Sequence, residues 1–348
     1  MDSAFIDINV SNYTNLIEPI HIFNKYKLSN KAIQFIKESR NIISNIINKK
    51  DKRLLVVLGP CSIHNYHQAI EYADFISKIQ NSFKDELFLV MRVYLEKPRT
   101  ILGWKGLIND PDLNNTYNIN KGLELSCKIL NEISEKNVPI ATELLDPIIT
   151  QYISRYISWG SIGARTVESQ IHRQLASACS FPIGFKNSTS GNIKVALDAR
   201  CSAKAKHNFI GINLNGKINI INSKGNDSVH IILRGSKNNG PNYFDTVLDE
   251  LNENVGIMID CSHNNKLTKN EKGQFDSIIY YTKTMSDKNI DKIIGFMIES
   301  NINEGCQEFI PNKIKYHTSI TDPCIGLLDT YQLLLKLKEK KSKSISII

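Results

Sequence analysis

LFLVMRVYLEKPRT, residues 87–100, passes from an apolar run into a group of cationic side chains. The apolar half is too short for a stable helix, and it is continuous enough to be buried on both faces, as a strand of a parallel sheet is. Arg92, Lys97 and Arg99 follow at its far end. Because unpaired cations are costly inside a protein, a strand that ends in this way indicates that an anion is held there.

Seven other short apolar runs resemble this one, and all of them alternate with stretches of helical period. Eight strand-and-helix units in one chain predict an α/β fold, the (β/α)8 TIM barrel. Together with residues 87–93, the runs occupy residues 54–59, 139–145, 161–165, 182–187, 230–235, 256–263 and 293–300.

The intervening segments predict amphipathic helices, and the last of them begins with a Thr321-Asp322 capping signal and ends in lysines. Two parts fall outside the bare barrel: a helix over 29–49 and a β-hairpin at about 209–222 that turns at Asn215-Gly216. The other helices are predicted over 67–80, 169–180, 242–253 and 321–341. The predicted organisation is an N-terminal extension for assembly or regulation (1–50), the catalytic barrel (51–340) and a flexible tail (341–348).

Composition narrows the class of protein. Hydrophobic residues make up 41% of the 348 positions and charged residues 22%, as in a soluble globular protein. The net charge of +8 could indicate a polyanionic partner, but the densest basic run, 336–344, has no aromatic side chain for base stacking. No apolar run approaches the ~18 residues of a membrane helix. Seven scattered cysteines and an N-terminus without a secretory pattern favour reduced thiols in the cytoplasm, and no nucleic acid or membrane partner is expected.

The ends of the predicted strands carry the residues with chemical potential. Active sites of such barrels lie at the C-terminal ends of the strands, so these side chains should face one small volume. Taken singly, each has a plain structural explanation, such as an ion pair for an arginine or a loop hydrogen bond for a histidine. Two of these side chains, Glu143 and Asp260, are carboxylates at the ends of the third and seventh strands. Six others together form a cationic group that needs phosphate or carboxylate ligands. The cationic group is Arg92, Lys97, Arg99, Arg165, Lys186 and Arg234.

A second group at the strand ends combines one sulfur, one imidazole and two carboxylates: Cys61, His263, Glu299 and Asp322. This mixture suits a borderline divalent ion such as Mn, Fe, Co or Zn better than Mg or Ca. A structural zinc site is normally richer in cysteine and closely spaced in sequence. These residues are dispersed along the chain, which argues against a local structural staple.

Several long strings are similar to one known family, the microbial class I (type Iα) 3-deoxy-D-arabino-heptulosonate 7-phosphate (DAHP) synthases. The resemblance extends from about residue 10 to residue 335 and rests on strings that are much longer than ordinary motifs. They are GPCSIH (59–64), MRVYLEKPRTILGWKGLINDP (91–111), GARTVESQIHRQLAS (163–177), GFKNSTSG (184–191), HIILRG (230–235), MIDCSHNN (258–265), MIESNINEGCQ (297–307) and SITDPCIG (319–326).

The resemblance implies a metal-dependent, homotetrameric enzyme built from dimers, which condenses phosphoenolpyruvate with erythrose 4-phosphate under feedback by an aromatic amino acid. It implies that the mixed group of four residues binds the metal and that Arg99 and Thr100 bind the phosphate of erythrose 4-phosphate. Lys97 is the preferred proton donor, and Glu143 orients or deprotonates a water; Cys61 and His263 complete the catalytic set. The implied phosphoenolpyruvate residues are Arg92, Lys97, Glu143, Arg165, Lys186 and Arg234.

The resemblance also places an effector site near the hairpin and the helix after the fourth strand, at Ser180, Phe209 and Gly211. Gly211 is more similar to the tyrosine-sensitive branch of the family, because the phenylalanine-sensitive branch usually has serine there. The chain departs from the family pattern at Ser236, Asn264 and Pro323 and over 147–151. These departures affect loop geometry and feedback and remove none of the implied catalytic residues.

Four alternatives remain at this stage. A related synthase uses arabinose 5-phosphate, but the KPRT string followed by GWKGL favours the four-carbon sugar. A metal-dependent barrel hydrolase would need an HxH pair near the first strand, and the sequence has none. A basic nucleic-acid-binding protein and an inactive effector-binding relic are both disfavoured by the complete metal and anion groups.

Overall fold

The structure, a computed structural model, describes residues 6–252, 254–311 and 313–345. Its centre is a closed barrel of eight parallel strands with the hydrogen-bonded order β1-β10-β9-β8-β5-β4-β3-β2. The remaining two strands, β6 and β7, form a separate antiparallel hairpin inserted between β5 and β8. The strands are β1 Leu54–Gly59, β2 Leu87–Arg92, β3 Ile140–Glu143, β4 Trp159–Ile162, β5 Ile183–Lys186, β6 Asn208–Ile212, β7 Ile218–Asn222, β8 Val229–Leu233, β9 Ile257–Asp260 and β10 Ile293–Glu299.

This arrangement confirms the (β/α)8 barrel and its inserted hairpin. Each barrel strand overlaps a predicted apolar run, and only the fourth is displaced, since it begins at Trp159 rather than at residue 161. The helices are α1 Pro19–Lys25, α2 Asn30–Ile47, α3 Tyr66–Ile79, α4 Ile119–Glu135, α5 Ile149–Ile153, α6 Gln170–Ala178, α7 Lys194–Lys204, α8 Asp245–Leu248, α9 Gln274–Lys283, α10 Asp287–Ile290 and α11 Leu327–Ile345.

Helix α2 closes the end of the barrel opposite the strand C-termini. Ser29 caps its first turn by accepting a hydrogen bond from the backbone N–H of Ala32. Ile43, Ile46 and Ile47 of this helix pack against the strand side chains that fill the barrel interior. The extension therefore contributes a core element, and the open end of the barrel is the end at which the strands finish.

Three predicted boundaries differ from the structure. The helix predicted over 242–253 is reduced to α8; at its predicted start Asn242 is held instead by hydrogen bonds to Asn265 and Arg234, and residue 253 lies outside the described part. Thr321-Asp322 is not a helix cap, since α11 begins only at Leu327. The predicted tail begins at residue 341, whereas α11 continues to Ile345; residues 346–348 lie outside the described part.

The described residues contain no helix that is both long enough and apolar enough to cross a bilayer.

A buried histidine in the barrel interior predicts acid-sensitive stability. The indole N–H of Trp159 donates to Nε2 of His230 at 2.9 Å, and burial lowers the pKa of His230 from 6.5 to about 4. The neutral ring is therefore favoured in the folded state. Its contribution to the free energy of unfolding is present above pH 6.5 and is lost as the pH falls toward 4, by about 2 kcal/mol at pH 5.

We expect His230→Gln to flatten the decline in unfolding free energy between pH 7 and pH 5. Urea unfolding of both proteins at the two pH values measures this difference. Because His64 is also buried with a pKa lowered to about 4, part of the decline should remain in the variant. An identical decline in the two proteins would contradict the assignment to His230.

Candidate active site

A cavity of about 380 Å³ opens at the C-terminal ends of the barrel strands, and we call it the mouth cavity. It brings together the six predicted cations with Thr100, Glu143, His263 and Asp322, as the convergence of strand ends in a barrel requires. Its lining consists of Arg92, Tyr94, Lys97, Pro98, Arg99, Thr100, Ile101, Leu102, Glu143, Gly163, Ala164, Arg165, Lys186, Arg234, His263 and Asp322.

Three of the four predicted metal ligands meet at one edge of this cavity, and the fourth, His263, approaches two of them without belonging to the group of three. Cys61, Glu299 and Asp322 each offer a donor atom, and these three atoms all lie within 4.8 Å of one another. Nε2 of His263 lies 3.9 Å from Oε1 of Glu299 and 3.7 Å from Oδ2 of Asp322. The Cys61 sulfur is 3.5 Å from the same Asp322 oxygen.

These separations fit a single transition-metal ion. Ligand bonds of 2.0–2.3 Å in a tetrahedral site place neighbouring donor atoms about 3.3–3.8 Å apart. The donors combine sulfur, nitrogen and oxygen, which is the mixture expected for Mn, Fe, Co or Zn. The residues present therefore fit a divalent ion, without distinguishing among these four metals.

Hydrogen bonds from neighbouring residues orient two of these donors. Nδ1 of His263 lies 2.9 Å from Oδ2 of Asp260, so the proton is held on Nδ1 and the Nε2 lone pair faces the other donors. The Ser262 hydroxyl donates to Oε2 of Glu299 at 2.7 Å. Outer contacts of this kind are typical of metal sites.

Burial and neighbouring charges together determine the pKa values of two of the predicted metal ligands. Burial alone would raise the pKa of Glu299, but His263 when it is protonated, together with the charges of Arg92 and Lys97, outweighs burial and lowers that pKa to about 2. Burial raises the pKa of the Cys61 thiol to about 12, and Glu299 adds to the rise. Glu299 is thus ionised, while the Cys61 thiol keeps its proton until a bound cation displaces it.

Three of the predicted anion-binding cations have anionic or sulfur partners within the protein. Arg92 is fully buried and lies 3.2 Å from Oε1 of Glu299, with its guanidinium over the Tyr94 ring at 3.9 Å. Lys186 pairs with Asp260 at 2.7 Å. Nζ of Lys97 donates to the Cys61 sulfur at 3.2 Å. The cationic and metal groups are therefore one connected network rather than two separate sites.

The other three cations remain available to a ligand. Among the described residues, Arg99, Arg165 and Arg234 have no carboxylate within ion-pair distance. Arg165 instead donates through Nε to the Thr100 hydroxyl at 3.2 Å, and Arg234 donates to its neighbour Gly235. Three guanidinium groups facing one cavity in this state can bind phosphate and carboxylate oxygens.

Glu143 enters the cavity from the end of β3, where it packs against Gly163. A Cβ built on Gly163 would lie 2.0 Å from Oε1 of Glu143, so this carboxylate occupies the space of the missing side chain. It is half-buried and lines the cavity together with the cations. The arrangement leaves the carboxylate free to bind a water molecule.

Sequence reasoning missed several residues that support the site. The Tyr94 ring lies under the Arg92 guanidinium. The Asp260 carboxylate contacts both Lys186 and His263, whereas the sequence indicates only that Asp260 lies at a strand end. Ser262 lies inside the quoted string MIDCSHNN, yet a serine gives no signal of a carboxylate partner 37 residues away.

A second cavity of about 150 Å³ lies beneath the hairpin, away from the mouth cavity. It contains all three predicted effector residues, Ser180, Phe209 and Gly211. Helices α5 and α6 supply much of the rest, including Gln151 and Leu175.

Relatives of known name match the chain over nearly its full length. A phospho-2-dehydro-3-deoxyheptonate aldolase of Haemophilus influenzae is 43% identical, with 96% of this chain and 93% of the relative covered. A Trp-sensitive enzyme of that name from Escherichia coli is 42% identical over 95% of this chain and 96% of its own. A tyrosine-inhibited one from Candida albicans is 41% identical over 97% and 94%.

Structure comparison gives the same result. The solved phospho-2-dehydro-3-deoxyheptonate aldolase of Francisella tularensis superimposes with a TM-score of 0.92 at 41% identity, covering 96% of this chain and 99% of that one. The model of the DAHP synthetase I family matches residues 25–334, which contain every predicted site residue. The resemblance seen in the sequence is confirmed: the chain belongs to the DAHP synthetase I family.

Proposed function

We propose that the mouth cavity is where this chain performs the reaction of its family, DAHP synthesis. The chain is a phospho-2-dehydro-3-deoxyheptonate aldolase (DAHP synthase), which condenses phosphoenolpyruvate, erythrose 4-phosphate and water to DAHP and phosphate in the first step of the shikimate pathway to the aromatic amino acids. The observation that carries the site assignment is one cavity lined by three arginines without an ion-pair partner among the described residues, with the donor group of Cys61, Glu299 and Asp322 and the nearby His263 at its edge.

The two substrates divide the cations between them. Arg92, Lys97, Arg165, Lys186 and Arg234 bind the carboxylate and phosphate of phosphoenolpyruvate, while Arg99 and Thr100 bind the phosphate of erythrose 4-phosphate. This division is supported by chain position, since Arg99 and Thr100 lie on the loop beyond β2 and are exposed at the rim. Guanidinium groups at fixed positions recognise such anions by paired hydrogen bonds.

Cys61, His263, Glu299 and Asp322 hold the divalent ion, whose identity among Mn, Fe, Co and Zn stays open. When bound, the ion supplies Lewis acidity for the aldehyde of erythrose 4-phosphate. The protein orients the substrates so that C3 of phosphoenolpyruvate attacks the aldehyde carbon and a C–C bond forms.

Protons move through Lys97 and Glu143. Lys97 gives its proton to the aldehyde oxygen as that oxygen becomes an alcohol. Glu143 orients the water that adds to C2 and takes one of its protons. The resulting C2 hydroxyl then becomes the ketone C=O as the C–O bond to the phosphate breaks, and its remaining proton leaves with the phosphate. Both groups face the cavity, and Lys97 is only 3.2 Å from the Cys61 sulfur in the metal group.

Phosphate release tests the function directly. The purified protein with Mn²⁺ should release phosphate from phosphoenolpyruvate when erythrose 4-phosphate is present, and not when either substrate is omitted. Arabinose 5-phosphate in place of erythrose 4-phosphate serves as the comparison. Equal or faster release with arabinose 5-phosphate would favour the related synthase instead.

We assign the second cavity to an aromatic amino acid effector, with tyrosine favoured. The support is the position of Ser180, Phe209 and Gly211 around one enclosed space and the effector sensitivity named for the Escherichia coli and Candida albicans relatives. A phenol ring needs room that a side chain at position 211 would reduce.

Gly211→Ser should weaken inhibition by tyrosine about tenfold. A Cβ at this position would lie 2.4 Å from Cδ1 of Ile221, which also lines the cavity, so Ile221 must move and the cavity narrows. The measurement is the tyrosine concentration for half-inhibition relative to each protein's own uninhibited rate. Asn215→Ser at the hairpin tip is the control, and equal sensitivity of all three proteins would remove Gly211 from the effector site.

We also propose that the enzyme is a homotetramer built from dimers and that the outer hairpin face is a contact between copies. Ile210, Ile218 and Ile220 are 73–78% exposed on this face, a costly arrangement for an isolated subunit. Ile218→Ser with Ile220→Ser should reduce the mass seen by light scattering. Leu328→Ser, at an equally exposed position on α11, should not; unchanged mass in the double variant would contradict the proposed contact.

A cytoplasmic location fits the chemistry of the site. All seven cysteines are free, and the Cys61 sulfur can bind a metal only in its reduced state.

A further inference from the structure

At two places the pairing between neighbouring barrel strands ends before a residue of the site, although Glu299 still pairs with Gly59 of β1 on its other side. The last register pair between β5 and β8 is Lys186 with Ile232, and Arg234 lies two residues beyond it. Between β9 and β10 the last pair is Asp260 with Met297, two residues before Glu299. Backbone N–H and C=O groups past these points need other partners, because buried polar groups without them are destabilising.

Asn187 binds both backbone polar groups of Arg234, and Nδ2 of Asn242 also donates to the Arg234 carbonyl at 2.8 Å. Oδ1 of Asn187 accepts from the Arg234 backbone N–H at 2.7 Å, and its Nδ2 donates to the Arg234 carbonyl at 3.0 Å. Asn187 is itself fully buried and directly follows Lys186, a residue of the mouth cavity. One side chain thus continues the pairing of β5 with β8 as a further ladder step would.

Gln274 makes the same pair of bonds to the metal ligand Glu299. Its Oε1 accepts from the Glu299 backbone N–H at 2.8 Å, and its Nε2 donates at 2.7 Å to the Glu299 carbonyl, which also accepts from the Ile325 backbone N–H at 3.0 Å. Gln274 is fully buried at the start of α9. The same device therefore occurs at two separate parts of the site.

We propose that the carboxamides of Asn187 and Gln274 are positioning residues, Asn187 for the anion-binding Arg234 and Gln274 for the metal ligand Glu299. A carboxamide carries a donor and an acceptor side by side and so can bind both polar groups of one residue's backbone. Ionised aspartate has no donor, and serine carries its donor and acceptor on a single oxygen atom, so neither can bind both backbone groups in this way. The roles of Arg234 and Glu299 rest on the proposed function.

The two placements have different consequences. Arg234 has no carboxylate partner among the described residues, so its guanidinium position depends on its backbone; a displacement of about 1 Å is enough to weaken a substrate contact severely. Glu299 is also held by Ser262 and Arg92 through its carboxylate. Loss of one outer contact to a metal ligand typically weakens metal affinity 10- to 100-fold.

The test compares Asn187→Ala, Gln274→Ala and a control, Asn289→Ala. Asn289 is equally buried, but it donates to Asp245 and Asp249, and neither of these residues lines the mouth cavity. The readouts are dissociation constants for Mn²⁺ and, with Mn²⁺ saturating, for phosphoenolpyruvate by calorimetry, together with KM and kcat.

Asn187→Ala should raise the phosphoenolpyruvate dissociation constant and KM about tenfold while leaving Mn²⁺ affinity within about twofold. Gln274→Ala should weaken Mn²⁺ binding 10- to 100-fold and leave the phosphoenolpyruvate KM near normal at saturating metal. Asn289→Ala should lower stability without either change.

Two outcomes would overturn the proposal: variants that lose stability but bind both ligands normally, or variants that weaken both ligands equally. If the alanine variants do not fold, Asn187→Leu and Gln274→Met keep the side-chain volume and remove the same hydrogen bonds. Because the primary readouts are binding constants, wild-type protein that binds both ligands without forming product contradicts the proposed function alone, and the variants still decide this proposal.

Discussion

Replacing Lys97 with methionine should lower kcat by about 10²- to 10⁴-fold, the usual contribution of a positioned proton donor. The side chain is buried at the floor of the mouth cavity and donates to the sulfur and the carbonyl of Cys61. Burial alone would lower the pKa of Lys97, but the Cys61 sulfur and the Glu299 and Asp322 carboxylates raise it. The amine therefore carries the proton that the nascent alcohol needs.

Methionine keeps the length and apolar stem of lysine and removes only the ammonium group, so substrate affinity should change much less than kcat. The measurement is steady-state kinetics with both substrates at saturating Mn²⁺, which separates loss of proton transfer from loss of metal. Lys105→Met is the control, since the Lys105 side chain is exposed and outside the cavity lining. Near-normal turnover of the Lys97 variant would exclude Lys97 from the chemistry.

The barrel could be predicted because its strands are buried on both faces. Such strands require continuous apolar runs, and these runs end where charged residues such as Arg92 and Glu299 begin. The convergence of the two predicted groups then follows from closure of the barrel. Strand ends that are far apart in sequence, such as those of β1 and β10, are direct neighbours in the structure.

Helix boundaries and the contacts that support the site were harder to predict from the sequence, for physical reasons. Thr321 and Asp322 have the residue types of a helix cap, but they lie in the loop between β10 and α11, where Thr321 bonds Ser62 and Asp322 joins the metal group. Asn187 and Gln274 act through their carboxamides on the backbone of distant residues. Sequence periodicity and residue type carry no information about such pairings.

Removing the divalent ion should lower turnover by on the order of 10³-fold or more. Lewis acid stabilisation of the reacting oxygen supplies several kcal/mol, and this contribution is lost with the ion. Activity should return with Mn²⁺, Co²⁺ or Zn²⁺ and poorly with Mg²⁺ or Ca²⁺. The reason is the donor set: the Cys61 sulfur and the His263 nitrogen favour borderline ions over hard ones. Chelation, elemental analysis of the stripped protein and readdition of each ion measure this.

A spectroscopic readout separates metal binding from activity. Co²⁺ bound through Cys61 should show a near-ultraviolet thiolate-to-metal charge-transfer band that is absent from Cys61→Ser and present in Cys127→Ser. Cys127 is the matched control, because it is equally buried but donates to the Tyr152 carbonyl away from the mouth cavity. Full turnover of protein shown to be free of metal, or an unchanged band in Cys61→Ser, would refute the ligand group. Because metal binding must displace the proton of the Cys61 thiol, whose pKa burial raises to about 12, affinity for these ions should fall as the pH is lowered.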